Sequence, residues 1–226
     1  MIKAVLWDLD GTLVDSAEFH WRAWRDVMAE EGLPVTHEQF VHSFGKRNDL
    51  ILSGWLGEDA DPGRMRRLSE EKEARFRALV RAHGIDPLPG AREWVARLHD
   101  EGWRHAIATS APRLNLETLI DAMQLGRYFG AGVAAEDVTH GKPDPEVFLV
   151  AAGRLGAEPL RSIVVEDAPT GIEAGRRAGM RTIGVSLMHA LPAADVYVGT
   201  LPELPADTFD TLLLGSGLFT QPVSRR

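Results

Sequence analysis

The chain has no cysteine, which rules out disulfides, thiolate metal sites and cysteine nucleophiles together. It has no apolar run near the ~18–20 residues needed to cross a bilayer, so no membrane-spanning helix is expected. The N-terminal stretch meets Asp8 and Asp10 early, unlike a signal peptide, and a cytoplasmic enzyme is the expectation. Lysine is scarce. Of 25 basic residues only Lys3, Lys46, Lys72 and Lys142 are lysines, the rest being arginine. A lysine kept against that preference suggests a place that needs a compact ammonium. Positive charge is also short overall, with a net charge of −8. That argues against a broad nucleic-acid-binding surface but leaves room for a small anion in a locally positive pocket.

The 226 residues are enough for one large domain or two modest ones. Ile2–Trp7 is a short apolar run closed abruptly by Asp8 and a glycine turn, which predicts a buried strand. Similar strands are expected at Arg104–Thr109, Ser162–Glu166 and Arg181–Val185, with weaker ones near Gly132–Ala134 and Val196–Val198. Helical periodicity falls between them, at Arg92–Glu101, Leu114–Met123, Pro145–Leu155 and Gly171–Ala178. The alternation predicts an α/β fold, a parallel sheet with helices on both faces. Residues 16–88 break it with four amphipathic helices, at Ala17–Glu31, Thr36–Phe44, Asn48–Leu56 and Met65–His83. The expected organisation is a core from residues 1–15 and 89–226, with 16–88 a helical insertion joined near Val14–Ser16 and Pro87–Gly90. The last residues, Gln221–Arg226, read as a frayed tail.

Ligands of open parallel sheets bind beyond the carboxyl ends of the strands. The residues at those ends therefore form one set: Asp8 and Asp10, Thr109 and Ser110, Glu166 and Asp167, joined by Lys142 from the loop Gly141-Lys142-Pro143-Asp144-Pro145. A carboxylate cluster, hydroxyls and a lysine around one crevice suit phosphoryl transfer: carboxylates hold Mg²⁺, and metal, lysine and hydroxyl share the phosphoryl charge. In Asp8-Leu9-Asp10-Gly11-Thr12 the two aspartates can address one substrate, being two apart in extended chain. Gly11 lets the backbone turn closely beneath a phosphate, with Thr12 next to it.

On these motifs the chain resembles the haloacid dehalogenase-like hydrolases, in the branch that holds β-phosphoglucomutase and small sugar-phosphate phosphatases. The likeness runs from Ile2 to about Val198 with the motifs in the family's order. It implies a Rossmann-like core with an inserted helical cap that closes over the site. It further implies Asp8 as nucleophile, Asp10 as general acid/base, Thr109 and Lys142 as phosphate-holding groups, and Mg²⁺ on Asp8, the Asp10 carbonyl and Asp167, supported by Glu166. His20, in Glu18-Phe19-His20-Trp21-Arg22-Ala23-Trp24, resembles the family's cap-closure histidine. Arg47 and Lys72 resemble cap positions that contact a distant phosphate.

The expected activity is hydrolysis of a small phosphorylated metabolite by a monomer, with a sugar-phosphate mutase as the alternative. Asp10 disfavours dehalogenation, since a halide needs no proton whereas a sugar alkoxide does. A receiver-type signalling module also combines acids, a hydroxyl, a lysine and Mg²⁺, but gives no purpose to an insertion of about 70 residues and carries its aspartate on a later strand.

Overall fold

The computed structural model describes residues 2–43, 45–57 and 59–215. Six strands form one parallel sheet: β1 (Ala4–Trp7), β2 (Arg104–Ala108), β3 (Phe129–Val133), β4 (Ser162–Glu166), β5 (Arg181–Val185) and β6 (Val196–Val198). Their order is β3-β2-β1-β4-β5-β6, so the winding reverses beside β1. Reversal opens a crevice at the carboxyl ends of the neighbouring strands, here those of β1, β2 and β4.

The strands are apolar on both faces because each face is covered. Val5, Trp7, Ile107, Ile163 and Val165 point to one side. They pack there on α5 (Ala91–Asp100), α6 (Arg113–Met123) and α9 (Thr208–Leu214). Ala4, Leu6, Ala106, Ala108 and Val164 point to the other, against α7 (Glu146–Leu155) and α8 (Pro169–Arg177). This is the Rossmann-like arrangement expected. The register places Trp7 across from Ile107 on one side and Val165 on the other. Residues just past those positions, Asp8, Thr109 and Glu166, therefore emerge side by side.

Between β1 and α5 lie α1 (Ala17–Glu30), α2 (His37–Ser43), α3 (Asn48–Leu56) and α4 (Pro62–His83). They share an apolar cluster of their own, with Trp24, Met28, Phe40, Leu52 and Leu68 at its centre. Phe76 and Val80 of α4 instead join the main core. The two crossings into this insertion run together: Val14 bridges Pro87, and Leu88 N donates to Leu13 O at 2.8 Å.

Some boundaries differ from the sequence reading. Helices α4 and α8 begin at Pro62 and Pro169, since proline suits the first helical turn where no N–H is needed. Asp61 caps α4 by accepting from Arg64 N at 2.7 Å. Strand β3 starts at Phe129 rather than near Gly132, and α9 stands where no regular element was expected. The expected end of α2 at Phe44 and the tail Gln221–Arg226 lie outside the described residues.

Candidate active site

Asp8 ends β1 and is almost buried, its N–H donating to Val165 O at 2.9 Å. Lys142 Nζ donates to Asp8 Oδ1 at 2.5 Å, to Glu166 Oε1 at 2.8 Å and to the Ala108 carbonyl at 3.0 Å. Three acceptors match the three N–H groups of an ammonium, so its charge is fixed at one point between β1, β2 and β4. The loop that delivers Lys142 carries a cis bond before Pro143.

Glu166 lies folded under the first turn of α8, where its Oε2 accepts from Ala168 N at 2.7 Å. Only glycine at 171 leaves room for it, because a Cβ there would sit 1.8 Å from Glu166 Oε1. Gly11 plays the matching part for Asp167. It has φ +91°, and a Cβ on it would lie 2.2 Å from Asp167 Oδ2. Both carboxylates thus occupy slots made by missing side chains.

Asp8, Glu166 and Asp167 present carboxylate oxygens within 4.8 Å of one another. One ammonium serves three acids. Burial first, then the charge of neighbouring carboxylates, pushes Asp8 up to about 8 and Asp167 up to about 9, against the pull of Lys142. For Lys142, burial works against the charged form, but Asp8 and Glu166 outweigh it and hold the pKa well above the usual lysine range. A divalent cation would supply the missing positive charge, and a set of hard carboxylate oxygens suits Mg²⁺.

Asp10 faces the insertion. Its Oδ1 accepts a short hydrogen bond from Ser16 Oγ and lies 3.6 Å from His20 Nε2. Burial acts to raise the Asp10 pKa, but the hydrogen bond and charge of His20, the Ser16 hydroxyl and Lys72 outweigh it, leaving it below the ordinary value. His20 stacks on Phe76, ring centroids 3.9 Å apart. Burial, reinforced by Lys72, lowers its pKa.

Thr109 is buried at the end of β2, its Oγ1 accepting from Ala111 N at 3.0 Å, and Ser110 follows, partly exposed. Thr12 is buried with its hydroxyl unpaired. Arg47 precedes α3 with its stem against the Lys142 loop, 3.7 Å from where a Gly141 Cβ would be, and pairs with Asp49 at 3.3 Å. Lys72 is buried rather than facing the crevice, its Nζ 2.8 Å from His20 Nδ1 and 2.7 Å from Glu73 Oε1. Sequence reading did not single out Ser16, Glu73, Asn115 or Gly171. Glu73 and Asn115 meet only through tertiary packing, whereas Ser16 and Gly171 each meet a carboxylate that lies shortly before them in the chain, Asp10 and Glu166.

A family model for haloacid dehalogenase-like hydrolases matches residues 2–179. The chain belongs to this family. It is 32% identical over 212 residues to hexitol phosphatase B of Escherichia coli K12, covering 91% of this chain and 95% of that protein. Fructose-1-phosphate phosphatase YqaB of the same strain is also 32% identical, over 190 residues, with coverage of 81% and 96%. Among solved structures, CbbY from Rhodobacter sphaeroides, in complex with xylulose-(1,5)bisphosphate, superposes with a TM-score of 0.83 at 27% identity, covering 90% and 96% of the two chains.

Proposed function

We propose that this hydrolase is a Mg²⁺-dependent phosphatase of small phosphorylated sugars or sugar alcohols, and that it works through an aspartyl-phosphate on Asp8. The observation that carries the reading is the site's charge balance: Asp8, Glu166 and Asp167 gather their carboxylate oxygens within 4.8 Å of one another, while the ammonium of Lys142 bonds two of them, Asp8 and Glu166. A dianionic phosphate can approach a carboxylate nucleophile only where positive charge is concentrated between them. Asp8, Asp167 and the Asp10 carbonyl would hold Mg²⁺, with Glu166 in support. When bound, the ion would neutralise phosphoryl charge and keep Asp8 ionised.

In the first step an Asp8 oxygen attacks phosphorus, the bond to the sugar oxygen breaks, and Asp10, which takes up a proton once the phosphoryl dianion is bound beside it, gives that proton to the departing alkoxide. In the second, Asp10 takes a proton from a water that attacks phosphorus. The Asp8–phosphorus bond breaks, and phosphate leaves with Asp8 restored. Lys142, Thr109 and Ser110 hold the phosphoryl oxygens, with Gly11 and Thr12 shaping the floor beneath. Thr109 Oγ1 already accepts from Ala111 N, so its own hydrogen is available to a phosphoryl oxygen. Residues 16–88 form the cap, which excludes bulk water and selects the leaving group.

A mutase would hold a second phosphate in the cap. The two cap cations singled out from sequence each face a carboxylate instead, Lys72 with Glu73 and Arg47 with Asp49. The named activities of hexitol phosphatase B and fructose-1-phosphate phosphatase also favour hydrolysis of a monophosphate. The test supplies β-glucose 1-phosphate with a trace of glucose 1,6-bisphosphate, alongside fructose 1-phosphate and hexitol phosphates, and follows free phosphate and glucose 6-phosphate separately. Phosphate release should outpace isomer formation throughout. Rapid isomer formation with almost no free phosphate would overturn the phosphatase reading in favour of a mutase.

A further inference from the structure

Glu73 stands outside every motif, yet it is the hub of a buried network. It is 6% exposed, and both of its carboxylate oxygens are engaged from three elements. Oε1 accepts from Lys72 Nζ at 2.7 Å and from Asn48 Nδ2, at the start of α3, at 2.7 Å. Oε2 accepts from Asn115 Nδ2 of α6 at 2.5 Å, which ties the insertion to the sheet domain. Asn115 Oδ1 accepts in turn from Arg77 Nη1 of α4 at 3.0 Å. Such a set of partners holds a carboxylate ionised. Although burial opposes it, Lys72 and His20, with the hydrogen bonds from Lys72 and Asn115, bring Glu73 down to about 2.

Lys72 depends on that charge. Its Nζ lies 2.8 Å from His20 Nδ1, with the rings of Trp24 and Phe76 at 5.3 and 5.7 Å. Burial there pulls a lysine towards the neutral amine, and Glu73 opposes that pull. The difference decides the direction of the next hydrogen bond. A neutral amine can donate or accept, whereas an ammonium has no lone pair and can only donate. Facing an ammonium, His20 Nδ1 must accept, so the ring hydrogen of the neutral histidine sits on Nε2, the atom 3.6 Å from Asp10 Oδ1.

We infer that Glu73 is a positioning residue for leaving-group protonation: by keeping Lys72 an ammonium it fixes the His20 tautomer and thereby the hydrogen-bond donor presented to Asp10. This rests on the role given to Asp10 in the phosphatase reading. It makes the cap residue Lys72 part of the acid/base apparatus, with its charge directed away from the substrate. Asn115 adds a condition, because Glu73 is fully held only while α4 and α6 are in contact.

The experiment uses the full chain with ¹⁵N-histidine. Long-range ¹H–¹⁵N correlations should show His20 as the Nε2–H tautomer in the wild type. In Glu73→Gln the Nε2–H signature should be lost or mixed. Turnover of fructose 1-phosphate should fall about ten- to hundredfold, while p-nitrophenyl phosphate, whose leaving group needs little protonation, falls about threefold or less. Glu73→Asp, which keeps the charge, should recover part of both signals.

The double variant Lys72→Met/Glu73→Gln buries no unpaired charge, so it should fold even if the single variant does not. It should still show the selective defect on fructose 1-phosphate and a changed His20 tautomer. An unchanged tautomer, or equal losses on both substrates in these folded variants, would overturn the inference. A wild-type protein that released no phosphate from any ester would defeat the phosphatase reading instead, and the tautomer measurement would still decide the role of Glu73.

Discussion

Replacing Gly171 with alanine sets two physical effects against each other. Gly171 lies inside α8 and has no positive φ, so its backbone does not need glycine. Helix propensity alone would make alanine about 1 kcal/mol more favourable. The added Cβ, however, would fall 1.8 Å from Oε1, 1.9 Å from Cδ and 2.5 Å from Cγ of Glu166, inside contact distance of half the side chain. Glu166 must swing out and surrender its bonds from Lys142 Nζ at 2.8 Å and Ala168 N at 2.7 Å. Hydrogen bonds to a charged group contribute about 1.5–3 kcal/mol each, so the net effect is a destabilisation of about 2–5 kcal/mol. Catalysis should suffer more than folding, since Lys142 and the cation site both lose a carboxylate. A fall of about 100-fold or more in kcat is expected, comparable to loss of a charge-stabilising donor, with Mg²⁺ required at higher concentration. Denaturant unfolding and a Mg²⁺ titration of phosphate release measure the two. Gly153→Ala, in α7, provides the control, because a Cβ there meets nothing within 4 Å. It should gain up to about 1 kcal/mol and keep full activity. If Gly171→Ala behaved like Gly153→Ala, the steric argument for the Glu166 slot would be refuted.

Asp10→Asn should slow phosphorylation of the enzyme far more with an alkyl phosphate than with p-nitrophenyl phosphate, and stopped-flow should show a burst with the latter because breakdown has lost its base. Equal losses in the first step would contradict the acid role. Activity should disappear in EDTA, return with Mg²⁺ and be inhibited by Ca²⁺, which takes more ligands at longer distance and would misplace Asp8; full turnover in chelator would remove the metal from the account. His105, 1% exposed and accepting from Trp7 Nε1 at 3.0 Å, is held down to about 4 by burial, with His99 adding to the effect. Its folded value lies below the ordinary 6.5, so its contribution to stability is intact above pH 6.5 and is lost as pH falls towards and through 4. That loss approaches about 3 kcal/mol. Unfolding measured from pH 7 to 4 should lose less stability in His105→Leu than in the wild type, and an unchanged pH dependence would refute the assignment.

The sheet was legible in sequence because its strands are buried on both faces and read as apolar runs, and because Asp8 and Thr109 follow directly after such runs while Glu166 ends one. Helix α9 was not. It has only seven residues, too few for periodicity to stand out, although Phe209 and Leu212 fill the core beneath Trp7 and Trp94. Strand β3 was placed late because glycines at 130 and 132 weaken its pattern and only Val133 in it is fully buried. In the site, local motifs carried the residues nearest Asp8. Lys72 reads in sequence as a cap position that contacts a distant phosphate, and only the packing of α4 on α1 and α6 shows it buried against His20 and Glu73. The link from Glu73 to Asn115 joins residues 42 apart, a separation over which no local pattern reports contact. Gly11 reads in sequence as leaving room beneath a phosphate, whereas its missing side chain makes the slot for Asp167, a carboxylate from another segment; Gly171 escaped because sequence alone does not show Glu166, five residues before it, folding back against it.

The claim on which the rest depends is that the phosphoryl group passes through Asp8. Asp10→Asn protein mixed with p-nitrophenyl phosphate and Mg²⁺, quenched in acid within milliseconds to seconds and digested, gives a direct measurement by mass spectrometry. The peptide spanning Asp8 should gain one phosphoryl group in proportion to the p-nitrophenol burst, fragmentation should place it on Asp8, and neutral hydroxylamine should remove it. A stoichiometric burst with no phosphoryl group on that peptide, or with the group on another carboxylate such as Asp167, would contradict the account.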